Sequence, residues 1–149
     1  MSLYASFNNI DVFRNISDHE DSDGFFLFTS SQVNVFRDED KKASYLAVID
    51  PDGASEALRL SFSMISKYDL KKIKSKRENH QMGRLTFDYP MSNTTVKSIM
   101  GLKMKSIKYT LKMRRDDYYD FREAFVGSLS PQEDTVGYVS SGELSNARK

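Results

Sequence analysis

Between Gly24 and Arg114 the apolar residues recur mostly at every second position, the spacing of half-buried strands. Phe25 to Thr29 and Val33 to Arg37 read as strands around the polar pair Ser30 and Ser31. Tyr45 to Ile49 reads as a third. It stops at Asp50-Pro51-Asp52-Gly53, whose proline and glycine fit successive turn positions. Leu58, Leu60, Phe62 and Met64 then alternate with Arg59, Ser61 and Ser63, as in an antiparallel strand with one wet face. Leu85, Phe87 and Tyr89 alternate with Arg84, Thr86 and Asp88 until Pro90 ends the run. Along Leu102 to Arg114 the apolar phase changes, from Leu102 and Met104 to Ile107, Tyr109, Leu111 and Met113. One extra residue near Ser106, a β-bulge, restores a single phase and places Lys103, Lys105, Lys108, Lys112 and Arg114 on one solvent face; without it, either two lysines point inward or the strand begins only at Ser106.

Elsewhere the spacing is three to four residues, which predicts helices. Leu3, Phe7, Ile10 and Phe13 form a short amphipathic stripe, and Leu3, Phe7 and Ile10 are its partner-docking candidates. The acidic SDHEDSDG stretch that follows reads as a linker. Ser66 is placed to cap a helix running to about Asn79, with Leu70 and Ile73 inward. On its outer face Lys67, Lys71 and Lys74 recur at i, i+4 and i+7, widened by Lys72, Lys76 and Arg77. Asn93 or Thr94 opens a short helical turn closed by Gly101. Asp116 and Asp117 open a helix with Tyr118, Phe121 and Phe125 inward to about Ser128. The pattern predicts an α+β fold, a mainly antiparallel sheet with two or three helices. Its expected organisation is an N-terminal helix and acidic linker (1–24), one core domain (25–129) and a flexible polar tail (130–149).

Composition narrows the classes. The 149 residues suffice for one modest core. There is no cysteine, so thiolate catalysis, disulfides and Cys-based metal centres are excluded, and two histidines far apart in sequence give no metal site. No apolar run approaches the roughly 20 residues of a membrane-spanning helix, and MSLYASFNNI lacks the basic flank and apolar stretch of a secretory signal. The expectation is an intracellular protein, in host cytoplasm or virion, without a transmembrane segment. No nucleophile–base pair, carboxylate cleft or phosphate-cradling glycine loop has a signature here, so neither an enzyme, a cofactor nor a small-molecule substrate is expected.

Charge changes the picture most. The net charge of +1 conceals segregation: residues 1–56 hold 4 basic and 11 acidic side chains, residues 57–115 hold 15 and 3, and residues 116–149 hold 3 and 7. The centre is therefore a candidate polyanion-binding surface, unless the acidic segments fold over it. Its candidate contacts are Lys67, Lys71, Lys72, Lys74, Lys76, Arg77, Lys103, Lys105, Lys108, Lys112 and Arg114. Phosphate-bearing nucleic acid and an anionic bilayer both match that charge. Tyr68, Tyr89 and Tyr109 lie among these lysines, available either for base stacking or for packing, with the strand parity of Tyr89 and Tyr109 favouring packing.

His80-Gln81-Met82-Gly83-Arg84 resembles a His-x-Met-Gly-Lys stretch of the rhabdovirus matrix proteins. Gly101-Leu102 followed by Ser106-Ile107, Thr110 and Asp117 resembles the Gly-Leu-containing strand that comes next in that family, and Asp120-Phe121-Arg122-Glu123 is similar to an Asp-Phe-Arg-Glu that opens a later helix. The pieces fall within residues 80–123. The chain departs from the family in an acidic rather than lysine-rich N-terminal segment, a shorter spacing before Asp120 and the lack of a Pro-Pro-x-Tyr motif, so recruitment of budding machinery is not implied. The resemblance implies a non-enzymatic, matrix-like viral structural protein that self-associates as a homo-oligomer and bridges an anionic membrane and a ribonucleoprotein through its basic face. The alternative is a single-stranded nucleic-acid-binding protein of the viral movement or silencing-suppressor type. A regulatory adaptor docking through residues 1–16 is a third class.

Overall fold

The computed structural model describes residues 1–15, 24–39, 43–74, 81–90, 106–129 and 137–139. Eight strands form a single sheet: β1 (Ser2–Asn15), β2 (Phe25–Arg37), β3 (Tyr45–Ile49), β4 (Glu56–Ser61), β5 (Ser66–Lys74), β6 (Gln81–Pro90), β7 (Ser106–Arg114) and β8 (Gly137–Val139). One α-helix, α1 (Tyr118–Ser128), and two 3-10 turns, Phe62–Met64 and Arg115–Asp117, complete the described elements. The sheet order is β4-β3-β2-β1-β7-β6-β5-β8, antiparallel throughout except for the β5–β8 pair.

The expectation of an α+β fold with two or three helices is thus overturned: the described residues form a sheet carrying one short α-helix. Two predicted helices are strands, for a common reason. In β1, Asn9 adopts φ 56°, a left-handed conformation that asparagine tolerates better than most residues. The burial phase shifts there from odd (Phe7) to even (Ile10, Val12), and a spacing of three imitates a helix. In β5, Lys67 has φ 51° and the register slips between Ser66 and Asp69; Leu70 then faces the core while Ile73 pairs with Met82 on the other face. The N-terminal segment is also no appendage to a 25–129 core, since β1 lies between β2 and β7 inside the sheet.

Other expectations hold with altered bounds. The two strands read around Ser30 are one strand, β2, and its Ser30 is buried, donating toward the Gln32 and Ile49 carbonyls at 2.7 Å each. The turn after β3 closes with a Gly53 N–H to Asp50 C=O bond of 3.0 Å. The predicted strand to Met64 ends at Ser61, where a 3-10 turn begins. The strand of residues 84–89 and the helix opened by Asp116 and Asp117 appear as β6 and α1. The linker residues 16–23, the helical turn of residues 93–101 and the tail apart from 137–139 lie outside the described residues, as does the strand region before Ser106.

Connectivity dictates that the sheet curls. β4 and β5 are six strand intervals apart in the sheet order, which is about 29 Å in a flat sheet. Yet the chain passes from Ser61 to Ser66 in five residue steps, about 17 Å at full extension. The two ends must therefore approach, and the Ser61 N–H donates to Tyr89 Oη of β6 at 2.9 Å. α1 packs on the concave side so formed. Phe121 meets Phe7 edge-on at 5.1 Å, while Phe125 meets Phe62 at 5.6 Å and Tyr68 at 5.5 Å, joining both halves of the sheet to the helix. Arg37 anchors the helix end, with Nη2 donating to the Ala124 carbonyl at 3.1 Å and Nε to Ser128 Oγ at 3.1 Å. A cation there also meets the negative end of the helix dipole. Gly83 is required by the closeness of the fit, since a Cβ at that position would stand 2.7 Å from Tyr118 Cδ1 and 2.9 Å from Met113 Cγ.

Candidate polyanion-binding face

The concave side belongs to the core, so any binding surface on strands β1, β7, β6 and β5 must use the convex side. The alternation of these strands decides which side chains reach it. Leu70, Leu85, Leu111 and Val12 point to the core, and the residues that alternate with them point outward. The register then builds a row across four strands: Lys71 opposite Arg84, Arg84 opposite Lys112, and Lys112 opposite Asp11. Directly opposed like charges repel across a sheet, and here the row is flanked by the carboxylates of Asp69 and Asp11. Adjacent rows place Arg114 opposite Met82 and Lys108 opposite Asp88. Across these strands five cations share the face with Asp11, Asp69 and Asp88.

Local ion pairs temper this charge without cancelling it. Lys71 Nζ lies 3.6 Å from Asp69 Oδ2, and Arg114 Nε donates to Asp117 Oδ2 at 3.0 Å. At this exposure such pairs contribute little to stability and leave the cations available to a stronger anion. A cleft of about 480 Å³ continues the row at one end, lined by Asn9, Asp11, Met82, Lys112, Arg114 and Arg115. At the centre, Asp69, Thr86 and Thr110 are neighbours in register; Asp69 Oδ1 and Thr110 Oγ1 are buried there without a hydrogen-bond partner. Phe13 lies beside Thr110, with Lys112 Nζ 4.9 Å from its ring centre and Phe26 edge-on at 5.5 Å. Phe26 and its neighbour Phe25 are 56% and 80% exposed.

The sequence-predicted site residues divide. Lys108, Lys112 and Arg114 share the convex face as expected, and Lys71 joins them from β5. Lys67, Lys71 and Lys74 do not form one helical face, because the segment is extended. Lys72 alternates to the helix side, where its Nζ donates to Tyr119 Oη at 2.8 Å. Lys74 ends β5 opposite Gln81, and Lys67 is exposed at the register slip. Lys76, Arg77, Lys103 and Lys105 lie outside the described residues. Phe7 and Ile10 are core residues and cannot dock a partner, whereas Leu3 is 55% exposed. Arg84 and the Phe13–Phe26 pair were missed as contacts. The alternation around Arg84 was the available signal for its direction, but its place between two lysines depends on strand register.

The tyrosines answer mainly to packing. Tyr109 is buried beside Phe87, and Tyr68 packs on Phe125. Burial pushes the phenol pKa of both above the ordinary value near 10; for Tyr109 a nearby Arg14 opposes this and Tyr89 adds to it. A raised folded-state pKa means that the folded chain holds these protons more tightly than the unfolded one. Their contribution to stability is complete below pH 10 and is lost as pH climbs through the folded-state values. Unfolding midpoints in urea are expected to fall above about pH 10, and less steeply in Tyr109→Phe.

Among the described residues no group of three His, Cys, Asp or Glu side chains is placed to hold a metal ion, and no helix is long and apolar enough to cross a membrane. No family model, curated protein or solved structure matches the chain.

Proposed function

We propose that this chain is a non-enzymatic, matrix-like structural protein of viral type that works inside the cell or virion, self-associates, and bridges an anionic membrane and a ribonucleoprotein through its convex sheet face. The observation that carries the reading is the cross-strand row Lys71–Arg84–Lys112, three adjacent cations on the side of the sheet opposite α1. Phe26, an exposed ring packed edge-on against Phe13 on the convex face, would seat at the headgroup boundary of a bilayer while the cations meet lipid phosphates. The resemblance over residues 80–123 points the same way and includes both Arg84 and Thr110.

A second reading, binding of single-stranded nucleic acid, is favoured by one specific feature. The Phe13–Phe26 pair lies beside Lys112, the combination of ring and cation on which unpaired bases stack while phosphates are neutralised. One experiment tests both: equilibrium binding to phosphatidylserine-containing vesicles and to a single-stranded oligonucleotide, across a range of salt. The membrane reading expects vesicle binding that weakens with salt, with none to neutral phosphatidylcholine. Binding to the oligonucleotide alone transfers the assignment to the second reading. Indifference to both anions removes the function proposed here.

A further inference from the structure

Among the described strands, β8 alone runs parallel to a neighbour, β5. It pairs along the edge of β5 that β6 leaves open, with Gly137 opposite Tyr68, Tyr138 opposite Asp69 and Val139 opposite Leu70. It comes from the far end of the sequence, separated from the described end of α1 and Leu129 by residues 130–136. A three-residue strand contributes only a few ladder hydrogen bonds, so its hold on β5 depends on being tethered nearby. A seven-residue connection supplies an effective concentration on the order of millimolar.

That dependence has a consequence for assembly. The β5 edge accepts an extended segment in parallel, and the same segment exists in every copy of the chain. We infer that the β5 edge is a strand-docking site whose occupant in the assembled state is the 137–139 segment of a second copy. Donor and acceptor are different surfaces, so each copy can give one strand and receive another; the contact is head-to-tail and propagates into a filament or lattice unless rotation closes it. Exchange between copies competes with docking within one copy only where local protein concentration reaches the tethered value. Gathering copies on an anionic surface through the Lys71–Arg84–Lys112 row does this, so the inference names the contact for the self-association proposed above and rests on that reading for its trigger.

The absence of cysteine in the native chain makes a direct test simple. Asp69 and Tyr138 are opposite in register, and neighbouring strands are about 4.8 Å apart, within the Cα separation a disulfide spans. Full-length Asp69→Cys and Tyr138→Cys chains are mixed and mildly oxidised, alone and on vesicles of phosphatidylcholine and phosphatidylserine. Mixed disulfide dimers are expected on the vesicles, and without vesicles at high protein concentration, at least tenfold above either variant by itself. The double variant in dilute solution is expected to close within one chain. A mixture that stays monomeric under every condition while the double variant closes overturns the inference, and so does a double variant that does not close. Vesicle sedimentation of the same samples keeps the readings apart: dimers at high concentration without vesicle binding uphold the docking site and remove the membrane reading. A second measurement needs no thiol. Tyr138→Pro deletes a backbone N–H from β8 and is expected to abolish concentration-dependent association in sedimentation velocity; unchanged association overturns the inference.

Discussion

Replacing Lys71, Arg84 and Lys112 together by glutamine is expected to weaken binding to phosphatidylserine-containing vesicles on the order of a hundredfold. Each cation near an anionic surface contributes about 1 kcal/mol, and about 1.4 kcal/mol corresponds to a factor of ten, so three such losses reach roughly two decades. The three side chains occupy neighbouring strands in one row, and all alternate with core residues, so the substitutions leave Leu70, Leu85 and Leu111 in place. Lys72→Gln is the control matched to Lys71→Gln: each removes one charge from β5, but Lys72 lies on the helix side, where it meets Tyr119. A Lys72→Gln loss as large as that of Lys71→Gln would show that binding follows total charge and not the convex row. If the anion is single-stranded nucleic acid, the triple variant lowers the salt slope by about 2, the share of three phosphate contacts.

Phe121→Ala is expected to destabilise the fold by about 3–5 kcal/mol, read as a fall in the urea midpoint at constant m-value. Phe121 is fully buried, edge-on to Phe7 at 5.1 Å and stacked with Phe125 at 6.2 Å. It belongs to α1, the only α-helix among the described residues, so its removal leaves a cavity between α1 and β1 that neither rigid element can fill by collapse. The cost is a large part of the 5–15 kcal/mol typical of small domains. An effect below about 1 kcal/mol would mean that α1 does not plug the curled sheet. The exposed neighbour Tyr119 provides the contrast, since Tyr119→Ala removes a surface ring with its contacts to Lys72, Arg122 and the edge of Tyr118, and opens no cavity in the core.

What was legible in the sequence follows from the range of the interactions involved. β3, β6 and α1 were readable because their apolar spacing is undisturbed and turn or capping residues bound them. β1 and β5 were misread because single residues in left-handed geometry, Asn9 and Lys67, shift the phase and turn a period of two into an apparent three. Backbone dihedrals at two positions thus changed the inferred class of the fold. The convex face was half legible. Lys108, Lys112 and Arg114 share one strand, whose alternation announces their common side, whereas the row through Lys71 and Arg84 exists only because β5, β6 and β7 pair in one particular register. Charge segregation located the binding surface in the chain without indicating its shape. The same limit hid the buried fate of Phe7 and Ile10, since an apolar stripe looks alike whether it meets a partner or its own core.

The position of β1 shapes how the chain comes off the ribosome. Its β2 neighbour follows after a short connection, but its other neighbour, β7, begins at Ser106, close to a hundred residues later. During synthesis the β4-β3-β2-β1 half is therefore complete long before its seam partner emerges: the edge of β1 that β7 will pair waits as an unpaired backbone ladder, and Ile10 and Val12 wait on the uncovered core face. Pairings this distant slow folding and leave unpaired edges open to aggregation. A nascent chain stalled before Ser106 is thus the species most in need of a chaperone, and a crowded polysome is where this protein is most exposed to misassembly.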